Sequence, residues 1–235
     1  MAGHGRHRHL NRQNLSLVTK IARKGKNKWV KKPIPGKHSQ SASISLVMLL
    51  RERLSLAENA RQAKKLLNNG EVLIDGLKTK FLGVPVGLMD VVSIPKLSLH
   101  YRVAISKGTI ALKEITAEQA GVKYCRIIGK TTSKKGKVQL NLHDARNFVI
   151  EKEEDRFKTG DTILTSIPKQ EIKGILKMEK GAKCLVFKGK HAGTVGVLEG
   201  LMERAGSKAT EAKLNADGVS FITLKNYIIV VDDKF

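Results

Sequence analysis

Two short β-like runs, Glu71-Val72-Leu73-Ile74 and Leu77-Lys78-Thr79-Lys80, are separated by Asp75-Gly76. No other stretch restricts the local fold so tightly. An Asp-Gly pair between such runs selects a type I′ turn, which needs positive φ at both central residues. The turn fixes the register, and the register decides which residues share a face. Lys78 and Lys80, two apart, then lie on one side of the second strand. Upstream, Ser55 stands three residues before Glu58, the spacing of a capping box at a helix entrance. Ala57, Ala60, Ala63 and Leu67 recur at helical spacing, and Asn68-Asn69-Gly70 supplies a left-handed stop. Arg61, Lys65 and Asn68 fall on the opposite helix face, with Lys64 at its flank. Before them, Ile44 to Leu54 predicts a first helix, apolar over most of its circumference and therefore buried. Arg51 and Arg53 in its last turn suit either the helix dipole or an external anion. The stretch Ser43 to Asp90 thus reads as helix, helix, hairpin. Arg61 and Lys65 beside Lys78 and Lys80 would form a positive groove.

Charge decides the class of partner. The 235 residues carry 44 Lys plus Arg against 21 Asp plus Glu, a net charge of +23. An excess of that size calls for a polyanion, most simply a nucleic acid. A membrane is the rival polyanion, but no apolar run has the length of a spanning helix. No basic amphipathic helix with Trp or Phe on its apolar side is present either. Cys125 and Cys184 are far apart and outside any CxxC spacing, which excludes the usual zinc site and a disulfide framework. No apolar h-region follows the start, so a reduced, cytoplasmic protein is expected. With aromatic residues at 4%, phosphate contacts and shape should outweigh base stacking.

Residues 1–38 hold eleven Lys or Arg and no acid, since Glu52 is the first carboxylate. Such a segment repels itself and predicts an arm that orders on RNA rather than packing alone. Trp29, flanked by Lys28, Lys31 and Lys32, could stack on a base or plug into the body of the protein; the plug is the expected reading, since a lone Trp is more often a packing anchor. Pro33 and Pro35 make a stiff link into the first helix. His4, His7 and His9 have the look of a metal tract, but no carboxylate or Cys completes a site, so they read as further RNA donors.

Beyond Ile94 the texture turns β-like. Strands are predicted over 102–105, 109–115, 124–128, 137–142, 148–150 and 162–167, with a helix near 116–120 capped by Thr116. Leu142-His143-Asp144-Ala145-Arg146-Asn147 brings His, Asp and Arg close in sequence. Neighbours on an extended chain point opposite ways, so His143 and Asp144 form no dyad. The segment reads as a turn whose side chains bond backbone or RNA. Further strands are predicted over 209–214, 219–224 and 227–231. Lys188, Lys190 and His191 sit on a loop bracketed by Gly189 and Gly193.

Together these motifs carry a resemblance. Leu50-Arg51, Leu54-Ser55, Ala60-Arg61-Gln62-Ala63 and Gly70 to Gly76 resemble the helix-helix-hairpin RNA-binding domain of a bacterial ribosomal protein. That domain also occurs in pseudouridine synthases and some tRNA synthetases. With Pro33 to His38 and Gly83 to Val91 added, the chain resembles the small-subunit ribosomal protein S4e family of archaea and eukaryotes. Gly181 to Val197 is similar to a KOW motif. An end at Phe235, where some eukaryotic members continue, points to the archaeal form. The family carries Gly where this chain has Ala145, a departure that bears on the positive φ of that turn.

The resemblance implies a multidomain α+β protein. Its parts would be a basic arm (1–38), a helix-helix-hairpin domain (39–95), a central β-rich domain (96–174) and a five-stranded KOW-type barrel (175–235). It implies a structural, non-catalytic constituent of the small ribosomal subunit. Expected RNA contacts are Arg6, Arg8, Arg12, Lys28, Lys31, Lys32 and Lys37 from the arm. Arg51, Arg53, Arg61, Lys64, Lys65, Lys78 and Lys80 would follow from the second unit, and Lys188, Lys190 and His191 from the loop tip. An ordinary basic hairpin tip is the alternative for the last three. Expected partners are small-subunit ribosomal RNA and neighbouring ribosomal proteins, in single copy, with no homo-oligomer, no membrane, no cofactor and no metal. Two other classes compete. An RNA-modifying enzyme would need a large catalytic domain, for which the middle segment is too short. A KOW-type transcription factor would leave the arm and the helix-helix-hairpin unit unexplained.

Overall fold

A computed structural model describes residues 9–24, 27–133, 136–203, 209–216, 218–233 and 235. It is a mixed α/β structure in which strands predominate. Strands β1 (Leu10–Asn11) and β2 (Trp29–Val30) pair antiparallel. Then come β3 (Ile44–Ser45), a helix α1 (Leu46–Met48) that widens into a π turn over Leu49–Arg53, and α2 (Ala60–Asn68). Strands β4 (Leu73–Ile74), β5 (Leu77–Lys78), β6 (Pro85–Val86), β7 (Val91–Ile94), β8 (Leu99–Ser106) and β9 (Thr109–Glu114) follow. Helix α3 (Ala117–Ala120) leads to β10 (Val122–Thr132), β11 (Val138–Leu142), β12 (Asn147–Ile150), β13 (Thr162–Ser166) and β14 (Ile172–Leu176). The chain closes with β15 (Lys183–Val186), β16 (Val195–Met202), β17 (Glu211–Ala216), β18 (Val219–Leu224) and β19 (Ile228–Val230).

The Asp-Gly turn forms as its chemistry requires, with Asp75 at φ 50° and Gly76 at φ 72°. It pairs Leu73 with Lys78 and Ile74 with Leu77. A Cβ added to Gly76 would lie 2.8 Å from Ile167, so the turn tip is also docked tightly on the central unit. The hairpin does not stand alone. One antiparallel sheet runs β5-β4-β7-β8-β9, crossing residue 95, where the sequence reading places a domain boundary.

The helices differ from expectation in their starts. Ser55 is not a cap: it lies at φ 53°, closing the π turn, while Leu56 N–H donates to the Leu50 carbonyl. Asn59 is the N-cap of α2, and its side chain accepts from Gln62 N–H. Gln62 in turn accepts from Glu58 N–H. Asn59-x-x-Gln62 has the same spacing and chemistry as Ser55-x-x-Glu58; the difference is that the apolar run through Leu50 needs Leu54 and Leu56 folded back on it. Ile44 and Ser45 are extended because they pair with Val86 and Pro85. The expected burial of the first segment holds, with Leu46, Leu49 and Leu50 at 0% exposure. Each such side chain contributes about 1.5–3 kcal/mol.

The arm is not separate either. Leu10, Leu15, Ile21 and Val30 are buried in the main core with Met48, Val86 and Val103. Trp29, expected as the anchor, instead faces outward.

The central sheet has the order β12-β11-β10-β13-β14. β10 is shared: Val122–Arg126 pair with β13, and past a bulge at Ile127/Gly129 the strand pairs with β11. The Thr116 cap forms a full capping box with Gln119. The C-terminal sheet runs β18-β17-β16-β15-β19, and no pairing joins β18 to β19 among the described residues. It is therefore seen as an open, half-barrel sheet rather than a closed barrel. Its loop packs on the first sheet, since a Cβ on Gly193 would lie 2.6 Å from Lys107 N. Gly108 N–H donates to the Ala192 carbonyl across the same seam.

Ala145 occupies the left-handed region, with φ 60°, where the S4e-like pattern calls for Gly. Leu142 and Arg146 close the turn around it. Left-handed Ala costs about 1–2 kcal/mol, and Gly loses part of that gain in chain entropy. Ala145→Gly should therefore raise stability by roughly 0.5–1 kcal/mol, read as a higher urea midpoint at unchanged m.

Candidate nucleic-acid interface

The expected groove has an exposed wall on each side. On α2, Ala63 and Leu67 face the core, which turns Arg61, Lys64 and Lys65 to solvent. Lys78 and Lys80 are exposed on the hairpin. The two walls meet at Gly70, the left-handed stop of α2 at φ 69°. A Cβ there would lie 3.1 Å from Lys78 Cδ, so the Lys78 stem crosses the helix C-terminus. Beside this face lies an open depression of about 620 Å³, bordered by Lys65, Gln62, Glu58 and Glu71. Glu71 is held below the usual carboxylate range by hydrogen bonds from Lys96 and Asn69. That side is therefore of mixed sign, and the free cations lie on the Arg61–Lys64 side. Lys28, Lys31, Lys188 and Lys190 are also exposed. Lys188 lies over the Tyr227 ring, and His191 stacks on Phe221 at 4.4 Å. Lys32 is half-buried.

Other expected contacts turn inward. Arg12 is 5% exposed: it donates to the Asn27 and Ala22 carbonyls and pairs with Glu52 at 2.7 Å. Arg53 donates to the Ile110 carbonyl and so holds the end of the first helix against β9, whereas Arg51 makes only a local, exposed bond to the Glu58 carbonyl and stays half-exposed. Arg6 and Arg8, with His4 and His7 of the candidate metal tract, lie outside the described residues. His9 meets the Trp29 ring.

Lys37 is also directed inward, and it belongs to a cluster that the sequence reading did not anticipate. Lys123, on β10, is fully buried among three carboxylates: Asp90 at 2.6 Å, Asp75 at 2.8 Å and Asp144 at 3.1 Å. Asp75 Oδ2 also accepts from Lys37 and from Arg146, the latter at 2.8 Å. Arg146 reaches Asp144 at 3.2 Å, and His38 Nε2 lies 3.0 Å from Asp90. Three carboxylates thus face Lys123, Lys37 and Arg146. Burial pushes the Asp90 and Asp144 carboxyls up, but Lys123 and its neighbours outweigh it and hold both well below the usual range. Burial likewise opposes the Lys123 charge, and the three carboxylates restore it and raise its pKa. His143 forms no dyad: Nδ1 accepts from Arg126 N–H and Nε2 faces the Leu88 carbonyl. That pairing puts the proton on Nε2 of a neutral ring. Cys125 and Cys184 are buried, which raises both thiols to about 12 and makes them inert.

The comparisons with known proteins agree along the length of the chain. Residues 97–172 match the model of the ribosomal family S4e. The small ribosomal subunit protein eS4 of Methanocaldococcus jannaschii is 42% identical over 241 residues, covering 100% of this chain and 98% of the relative. The chain belongs to the S4e family. The eS4 protein of Methanosphaera stadtmanae is 41% identical over 98% of this chain and 95% of its own. The crystal structure of the 30S ribosomal protein S4e from Thermoplasma acidophilum aligns with a TM-score of 0.70 at 28% identity. It covers 83% of this chain and 97% of that one. The family match spans Lys123, Asp144 and Arg146, while Asp75 and Asp90 lie before it.

Among the exposed apolar side chains that sequence reasoning missed on this S4e chain are Trp29 at 57%, Leu77 at 50% and Phe81 at 70%. All three neighbour lysines in sequence, and strand alternation beside buried Val30 was the available signal for the first.

Lys123→Met strands three buried carboxylates and should cost about 3–5 kcal/mol in chemical denaturation; a loss below about 1 kcal/mol would refute the assignment. His143 concerns pH. Burial holds it near 4, against 6.5 ordinarily, with the Asp144 charge only partly compensating. The neutral ring's contribution is complete above pH 6.5 and is lost as pH falls toward 4, up to about 3 kcal/mol. Unfolding measured from pH 7 to 4 should show this loss, and His143→Gln should flatten it in that window.

Proposed function

We infer that this chain is a structural constituent of the small ribosomal subunit, holding folded ribosomal RNA through phosphate and shape recognition in the cytoplasmic ribosome. The observation that carries this reading is the end-to-end match to archaeal eS4 proteins at about two-fifths identity. S4e is a family of ribosomal structural proteins and not of enzymes. On this reading Arg61, Lys64, Lys65, Lys78 and Lys80 clasp RNA phosphates, because they are exposed while the neighbouring cations are engaged internally. Lys28, Lys31, Lys32, Lys188 and Lys190 add contacts, and Arg6 and Arg8 extend the grip. Arg12, Lys37 and Arg53 shape the surface instead of touching RNA. The C-terminal sheet is the KOW-type unit. The partners are small-subunit ribosomal RNA and adjacent ribosomal proteins, one copy per subunit without self-association.

The test is binding of the intact chain to a small-subunit ribosomal RNA transcript across a salt series. Affinity should fall steeply with salt, releasing on the order of six or more counterions. Arg61→Glu with Lys65→Glu should weaken binding by more than ~2 kcal/mol, since repulsion replaces attraction. An unchanged affinity would remove this face from the contact, and a flat salt response would point to a protein partner.

A further inference from the structure

Trp29 is the sole tryptophan of the chain, and its ring is turned to solvent. The cause is the register of the small arm sheet, in which Leu10 pairs with Val30 and Asn11 with Trp29. Adjacent strand residues point to opposite faces. Leu10 and Val30 take the inner face, each 8% exposed, so Trp29 must take the outer one. The indole is therefore held out by the fold.

Its backbone is also tied to the body of the protein. Arg12 N–H donates to the Lys28 carbonyl at 2.9 Å, and Arg12 Nε donates to the Asn27 carbonyl at 2.9 Å. The same guanidinium is fixed on Glu52 in the π turn that ends the first helix. The backbone under the indole is thus bolted to the body before any partner arrives, which lowers the ordering cost of binding. Around the ring, His9 sits at 5.7 Å and is tilted by 56°, so it does not lie flat on the indole. The Lys28 ammonium lies 5.5 Å from the ring centre, within cation–π range.

We propose that Trp29 is a stacking platform for one unpaired base of the RNA. This rests on the RNA-binding reading above and adds the class of nucleotide contact. Every base has a π face that an exposed aromatic ring can take, and a base in a duplex has already used its own. The neighbours favour RNA over a protein. Protein interface cores are depleted of lysine, whereas Lys28 and Lys31 flank this ring in sequence and are exposed. No carboxylate precedes Glu52 in the sequence, and Glu52 is paired with Arg12, so the charged side chains that this segment itself offers beside a stacked base are cations.

The test uses the full chain, whose tryptophan emission reports Trp29 alone. Three probes are titrated: a single-stranded oligoadenylate, a small-subunit ribosomal RNA transcript with its loops, and a blunt RNA duplex of matched length. Emission should be quenched by the first two and little changed by the duplex. Trp29→Ala should weaken transcript binding on the order of 5- to 100-fold at every salt concentration, leaving the salt slope intact. Trp29→Phe should recover part of the loss, and far-ultraviolet circular dichroism of both variants should match the parent. Unquenched emission at saturating transcript, or equal affinity of Trp29→Ala, overturns the platform while leaving the RNA-binding reading in place. Emission that responds only to another ribosomal protein overturns it in favour of a protein contact. No transcript binding by the parent chain overturns both.

Discussion

Lys123 carries its ammonium into a place with no solvent exposure, where Asp75, Asp90 and Asp144 surround it. Those three carboxylates come from the turn of the β4–β5 hairpin, the approach to β7, and the turn between β11 and β12. Lys37 and His38 enter from the end of the arm. One buried charge cluster therefore joins segments that are distant in sequence and that the apolar cores alone would hold with less directional control. Each carboxylate is also fixed by backbone: Asp75 accepts from Val91 N–H, Asp90 from Gly87 N–H and Asp144 from Arg146 N–H. Exchanging such a cluster wholesale for apolar groups is often neutral in stability, while removing one member is costly. Its distinctive contribution is geometric, since a shift of one segment leaves a charge unpaired.

The basic face depends on this arrangement. Asp75 is both a member of the turn that presents Lys78 and the residue that anchors that turn to β10. The helix wall with Arg61 and Lys65 reaches the same hairpin across Gly70. The C-terminal sheet is attached by a second set of contacts. Arg126 donates to Asn226, Thr162 accepts from Val230 N–H, and the Tyr124 hydroxyl donates to Asp232. Much of the limited acid in the chain is thus used internally, and the remaining cations are left to define the outer surface.

What was legible in the sequence followed from local chemistry. The Asp75-Gly76 turn, the Thr116 cap, the left-handed stop at Gly70 and most central strands depend on residues a few positions apart, and they form where expected. The misses depend on contacts made at long range. Asn59 displaces Ser55 as the cap because Leu54 and Leu56 close onto Leu49 and Leu50. Arg12 and Lys37 looked like free cations because their acids, Glu52 and Asp75, lie 40 and 38 residues away. Trp29 looked like an anchor because bulk argues for burial, but its neighbour Val30 occupies the inner face. The S4e resemblance supplied the overall class, and it could not say which cations point outward.

These internal pairings change how the net charge of +23 should be understood. A polycation without fixed structure would bind any polyanion, with affinity set by counterion release. Here backbone carbonyls, buried carboxylates and a capped helix hold selected cations in place and withdraw others from the surface. A fixed pattern of charge can match one folded phosphate backbone better than another, because misplaced cations gain little while their desolvation still costs. The outer charge pattern is therefore specified as much by the arginines and lysines drawn inside as by those left outside.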